Sequence, residues 1–136
     1  MMSEWYPEDL LYTKEHEWAR VEQKDGRNIA TIGISRYAVE HLGDVTQVDL
    51  PKEGDSIKQG QIFGSVESVK AVSDLFAPLS GKVVLVNSTL RDAPEHVNAN
   101  PYAEGWMVKI AVANPEEAKN LMDGESYRAF LRVQAE

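Results

Sequence analysis

Lys70 is the residue of this chain best placed to do chemistry. It sits in Gly64-Ser65-Val66-Glu67-Ser68-Val69-Lys70-Ala71-Val72-Ser73-Asp74, between two strand-like runs. Before it comes Gln61-Ile62-Phe63-Gly64-Ser65-Val66; after it come Leu75-Phe76-Ala77-Pro78 and then Gly81-Lys82-Val83-Val84-Leu85-Val86-Asn87. A primary amine at the tip of a hairpin stands clear of the body, where a modifying enzyme can reach it. Against this stands the ordinary reading of a solvated lysine in a turn. The pattern Glu-Ser-Val-Lys-Ala does not by itself decide between the two.

Other chemistry finds little support in the residue types. With no cysteine, disulfides, thiol catalysis and thiolate zinc sites are excluded. Redox chemistry at sulfur has to be imported on a cofactor. His16, His41 and His96 lie far apart and lack the close spacing of a helical metal pair, so they read as ordinary histidines and no metal site is nominated. Folding could still bring two of them together. There is no Gly-rich phosphate loop and no nucleophile elbow. The carboxylates are too many and too scattered to pick out a catalytic pair, so no catalytic residue is assigned and an enzyme reading has no positive feature.

Lys and Arg number 14 against 22 Asp and Glu, a net charge of −8. Nucleic acid and anionic membrane both demand a basic face, so neither is expected as a partner. No run approaches the ~20 apolar residues of a membrane-spanning helix. The opening Met1-Met2-Ser3-Glu4-Trp5-Tyr6-Pro7-Glu8-Asp9 is acidic and has neither a signal-peptide core nor an Arg-rich transit segment. A cytoplasmic, bacterial-type location is the default, ahead of a mature mitochondrial one.

The elements that must hold Lys70 are short strands. His16-Glu17-Trp18-Ala19-Arg20-Val21-Glu22 and Asn28-Ile29-Ala30-Thr31-Ile32-Gly33-Ile34 flank Lys24-Asp25-Gly26-Arg27, a hairpin signal because Gly accepts the positive φ of the turn. Ser35 reads as the N-cap of a short helix and Gly43 as its stop, with Ala38 and Leu42 on one side. Residues 44–50 alternate: Val45, Gln47 and Asp49 on one face; Thr46, Val48 and Leu50 on the other. Gly54, Gly60, Gly64 and Gly81 suit strands that bend and switch sheets. Residues 91–102 read as a loop, and Trp106, Val108, Ile110 and Val112 as one face of a strand. Asn114-Pro115-Glu116-Glu117 starts a helix that continues through Ala118, Leu121 and Met122; Gly124 breaks it, and Tyr127, Phe130 and Leu131 mark a last amphipathic one. The pattern is that of one domain, 1–136: a small sandwich or barrel-like β fold with covering helices. Its core hairpin spans 60–87 and its C-terminal helical segment 114–133.

Taken in order, several pieces resemble one family. They are Tyr12-Thr13-Lys14-Glu15-His16-Glu17-Trp18, Gly33-Ile34-Ser35-Arg36-Tyr37-Ala38, Leu42-Gly43-Asp44-Val45, Val66-Glu67-Ser68-Val69-Lys70-Ala71, Ala77-Pro78-Leu79-Ser80-Gly81 and Asn98-Ala99-Asn100-Pro101-Tyr102-Ala103-Glu104-Gly105-Trp106. Each is weak alone. Their joint order and spacing, from about Leu10 to Phe130, is similar to the H proteins of the glycine cleavage system. Biotinyl domains usually carry Met on both sides of the lysine, whereas Val69 and Ala71 stand here. Lipoyl domains of 2-oxoacid dehydrogenases usually have Asp before the lysine, and are shorter and embedded in longer chains.

The resemblance implies a barrel-sandwich hybrid of the lipoyl/biotinyl type and a non-enzymatic carrier with lipoate bound covalently to Lys70. It implies that the arm carries the aminomethyl group of glycine from a pyridoxal-phosphate glycine decarboxylase to a tetrahydrofolate-dependent aminomethyltransferase. Dihydrolipoyl dehydrogenase then reoxidises the dithiol. Lipoylating enzymes are further partners, with Glu67 and Gly81 as their recognition elements, and relay of lipoyl groups to other carriers is an additional role. The loaded arm is expected in a cleft formed by Glu17, Asp74 and Glu15. The family often has a small polar residue where Glu15 stands.

Overall fold

The computed structural model describes residues 6–135. Residues 1–5, part of the acidic opening read above, and residue 136 lie outside the described residues. Strand β1 (Leu11–Tyr12) leads to a long hairpin of β2 (Glu17–Lys24) and β3 (Arg27–Ile34). Asp25 and Gly26 have φ of 54° and 76°, the two positive values a tight two-residue hairpin needs, so Lys24 pairs with Arg27 across the turn. Helix α1 (Arg36–Leu42) follows. Ser35 Oγ accepts from Ala38 N at its start, and Gly43 closes it at φ 78° with its N–H on Val39 O.

The rest of the chain adds β4 (Val45–Asp49), β5 (Ser56–Ile57), β6 (Ile62–Ser68), β7 (Val72–Phe76) and β8 (Gly81–Val86), then helices α2 (Thr89–Asp92) and α3 (Glu95–Ala99). Strand β9 (Val108–Val112), a 3-10 helix (Pro115–Asn120) and α4 (Gly124–Ala135) complete it. A six-stranded sheet has the order β1-β2-β3-β9-β8-β5, and a three-stranded sheet has the order β4-β6-β7. All pairings are antiparallel. The architecture is the mainly β, lipoyl-type barrel-sandwich. The chain changes sheet between β7 and β8, so segment 60–87 contributes a hairpin to one sheet and a strand to the other.

Apolar side chains of both sheets meet in one core, which includes Ile32, Ile110, Val66, Leu75 and Leu79. A second, aromatic cluster joins Tyr6, Tyr12 and Trp18 to Tyr127 and Leu131 of α4. The Tyr12 and Tyr127 rings stack at 4.3 Å, and Tyr6 meets Tyr127 edge-on at 5.5 Å. The C-terminal helix is thereby fastened to the N-terminal strands.

Four expectations are corrected. Residues 91–102 are not a plain loop. They hold the end of α2 and all of α3, each under two turns long and anchored by buried Leu90 and Val97. Such short pieces show no periodicity, and tertiary burial stabilises them rather than propensity. Strict alternation over 44–50 fails because a bulge between Val45 and Gln47 resets the register. Val45 is buried, and Val48 and Leu50 also pack against the core. Trp106 lies outside β9, its ring under the Lys109 ammonium. At the C-terminus Asn114 does cap, but the helix it starts is 3-10 and ends at Asn120. Met122 instead exchanges two backbone hydrogen bonds with Tyr12, and Gly124 is the first residue of α4.

Candidate functional site

The Lys70 turn is made by the residue that starts it. Ser68 N donates to Ala71 O at 2.8 Å, closing the loop between β6 and β7. Ser68 Oγ accepts from Lys70 N (3.2 Å) and Ala71 N (3.1 Å), amides that the tight turn would otherwise leave unpaired. Val69 N donates to Asp44 O at 3.1 Å, which seats the turn on the segment after α1. Lys70 itself is exposed, and nearby Val69 and Val72 are two of the most exposed large apolar side chains among the described residues.

Beside the turn lies a cleft of about 350 Å³ between the loop before β2, helix α1 and the outer strand β7. Glu15, Glu17 and Asp74 all line it, so the three carboxylates expected to form the arm cleft are brought together. Glu15 and Asp74 are exposed, while Glu17 is only 1% exposed. Its Oε1 accepts from Thr13 Oγ1 at 2.6 Å and its Oε2 from Phe76 N, an edge amide of β7, at 3.0 Å. Thr13 Oγ1 in turn accepts from Glu15 N and Glu17 N, both at 3.1 Å. Burial pushes the Glu17 carboxyl up to about 7; the Thr13 and backbone hydrogen bonds pull the other way, and the Glu15 charge adds to the rise. No Lys or Arg among the described residues forms a salt bridge with it. A buried carboxylate without a cation is an uncompensated charge whenever it ionises.

Two of the three histidines also meet here. His16 and His41 both line the cleft, and Tyr37 contacts both, tilted against His16 at 4.4 Å and stacked on His41 at 4.1 Å. His16 Nδ1 lies 2.8 Å from Tyr127 OH, which lies 2.7 Å from Ser35 Oγ. Burial, reinforced by His41, lowers His16 to about 4, so its ring is neutral near pH 7. His16 holds an unusual φ of 77°. His96 stands on α3, away from the lining. No His, Cys, Asp and Glu cluster able to hold a metal occurs among the described residues.

The remaining nominated residues lie elsewhere. Glu67 is exposed on β6, between Gln47 of β4 and Val72 of β7. Gly81 opens β8 in the other sheet, buried and outside the cleft. It is not a positive-φ turn glycine; a Cβ there would run into the Ala111 carbonyl oxygen, so close backbone approach is what requires it. Sequence reasoning passed over Thr13 and Ser68. The signal for Ser68 was present, a hydroxyl two residues before the lysine at a turn entry. The signal for Thr13, a hydroxyl four residues before a buried Glu, needs the burial to be known.

The two antiparallel sheets and the hairpin that exposes Lys70 place the fold in the class of lipoyl-type barrel-sandwich domains. Within that class the chain belongs to the glycine cleavage H-protein family, whose sequence model matches residues 10–134. It is 53% identical over 128 residues to the glycine cleavage system H protein of Anaeromyxobacter sp. (strain K), covering 94% of this chain and 97% of that protein. It is 52% identical over 126 residues to the one from Symbiobacterium thermophilum, covering 93% and 95%. A crystal structure of a glycine cleavage system H protein from Mycobacterium marinum superposes with a TM-score of 0.78 at 36% identity, over 90% of this chain and 96% of that one.

Proposed function

We propose that Lys70 is joined to lipoate through an amide and that the chain shuttles the aminomethyl group of glycine within the glycine cleavage system. The observation that carries this reading is the cleft, which is lined by Ala71 next to the exposed Lys70 and has in its wall a buried carboxylate without a salt bridge among the described residues. The dimensions fit. From Lys70 to Asp74 runs about 13 Å of chain at the rise of a strand, the order of length of a lysine lengthened by an eight-carbon acyl chain. The volume of about 350 Å³ is that of a small-molecule site.

Lipoate supplies the dithiol that takes up and gives back the one-carbon, ammonium-bearing fragment, chemistry for which this cysteine-free chain has no group of its own. Ser68 holds the acceptor lysine outward in its turn. Glu17 offers a carboxylate in a poorly solvated wall, where attraction to an ammonium is stronger than in water. Asp74 and Glu15 make the rim negative, and the neutral His16 ring adds no repulsion to a cation. Leu42, Val66 and Leu75 supply apolar wall that keeps water from the labile fragment. Tethering keeps the cargo at high local concentration at each enzyme visited.

The partners implied are the pyridoxal-phosphate glycine decarboxylase, the tetrahydrofolate-dependent aminomethyltransferase, dihydrolipoyl dehydrogenase and the lipoylating enzymes, and the compartment is the cytoplasm. The chain acts as a carrier, not as an enzyme. Intact mass and peptide mapping of protein from its native source test the assignment. Lipoate is expected on Lys70 alone, and Lys70→Arg is expected to fold, to stay unmodified and to abolish glycine cleavage in the reconstituted system. Lipoate on another residue, or a Lys70→Arg protein that supports cleavage, would falsify it.

A further inference from the structure

We propose that Asn98 is a positioning residue for the Lys70 arm, its amide tying down the segment on which the lysine turn rests; this rests on the reading that Lys70 carries the arm. Asn98 reaches across from α3. Its Nδ2 donates to Gly43 O and its Oδ1 accepts from Val45 N, both at 2.8 Å. The two bonds straddle Asp44 and hold the chain on both sides of it. Asp44 O is the acceptor for Val69 N, and Val45 opens the β4 to β6 ladder opposite Ser68, which makes the turn. Ser68 and Val69, the two residues that lead into Lys70, are therefore both anchored to the segment that Asn98 clamps.

The same amide holds the end of a cleft wall. Gly43 closes α1, whose Tyr37, Ala38, His41 and Leu42 line the cleft. The bare face of Gly43 lies along the lysine stem: a Cβ there would stand 3.6 Å from Lys70 Cε, and the φ of 78° disfavours any side chain. The arm's root, its bed and one wall of its cleft thus share one point of attachment. A primary amide is the side-chain head that offers a donor and an acceptor together in one plane. Alanine would leave Gly43 O and Val45 N without these partners. Aspartate would set a second acceptor against the Gly43 carbonyl.

The experiment uses the full-length lipoylated protein, reduced and loaded with formaldehyde and ammonia. A thiol, formaldehyde and ammonium combine with formation of one C–S and one C–N bond, and the carbonyl oxygen leaves as water. After excess reagent is removed, formaldehyde release is followed well below each protein's unfolding transition. Asn98→Ala and Asn98→Asp are compared with Asn87→Ala. Asn87 is a buried amide that bridges two backbone carbonyls, Glu104 O and Trp106 O, outside the turn and cleft. Both Asn98 variants are expected to lose the group about fivefold to tenfold faster than wild type. Asn87→Ala is expected to melt lower yet release at the wild-type rate. Wild-type release from the Asn98 variants overturns the proposal, as does equal acceleration by Asn87→Ala, which would reduce Asn98 to general stability. Lipoate found by mass on Lys70 in every variant leaves the carrier reading standing however the rates fall.

Discussion

Glu17 is where burial and function pull against each other. Its folded value of about 7 lies above the ordinary 4.5, so the folded protein holds this proton more tightly than the unfolded chain. The cost of keeping Glu17 ionised is absent below pH 4.5, grows as pH rises, and is complete above about 7. Each pH unit between those values is worth about 1.4 kcal/mol, hence on the order of 3 kcal/mol in full. Glu17→Gln removes that cost but weakens the contact to Thr13 or to Phe76 N, a loss of about 1 kcal/mol. The variant is therefore expected to be less stable than wild type near pH 4.5 and more stable above pH 7. Denaturant unfolding across that range checks the crossing; parallel stability curves for the two proteins would remove Glu17 as the titrating group. In the loaded protein the same substitution should speed formaldehyde release at pH 7.5, with an effect that shrinks as falling pH protonates the wild-type carboxyl; the ammonium cargo beside it moves that loss to lower pH than in the unloaded protein.

Among the elements, the β6–β7 hairpin and strand β8 set up two different tests. Glu67 is an exposed strand residue, so Glu67→Ala is expected to move stability by no more than ~0.5 kcal/mol. If it guides the lipoylating enzyme, Lys70 in this variant is modified more slowly at unchanged Tm; equal modification rates for variant and wild type remove the role. Gly81 behaves otherwise. A methyl at this buried position must displace the Ala111 carbonyl region, so Gly81→Ala is expected to cost about 1–3 kcal/mol and to lower Tm. Lipoylation of Gly81→Ala is informative only at a temperature where the variant is still folded. A Gly81→Ala protein with wild-type Tm would show that the two strands can part without penalty.

For the whole molecule, charge offers a direct readout. The formal charge is −8, and forming an amide at Lys70 removes one positive charge, giving −9. Modified protein is expected to run ahead of the unmodified form on a native gel, and Lys70→Arg to run with the unmodified form. Two species of equal mobility but different mass would place the modification on an uncharged group. The acidity extends into the cleft, where Glu15, Glu17 and Asp74 converge.

Local signals were legible because they are local. Asp25-Gly26 marks its turn through backbone sterics, Ser35 and Gly43 bound α1 through the hydrogen bonds of helix ends, and Lys70 stands out between two strand runs. The resemblance also carried the acidic cleft residues, since motif order survives without coordinates. What stayed hidden depends on contacts between distant segments. The bulge at Val45, the short helices over 89–99, the meeting of His16 with His41, and the Asn98 clamp on Gly43 and Val45 leave no periodic trace. By itself the sequence determined the hairpin that exposes Lys70, because strand runs and a turn between them follow from residue type and near-neighbour spacing; the carrier role and the acidic residues rested on the resemblance. Tertiary structure alone decided that Glu17 is buried without a salt-bridge partner among the described residues, that Gly81 is needed for a strand contact and not for a turn, and which amide bridges Gly43 and Val45. Burial and approach distance are properties of the packed chain, and no spacing along the sequence encodes them.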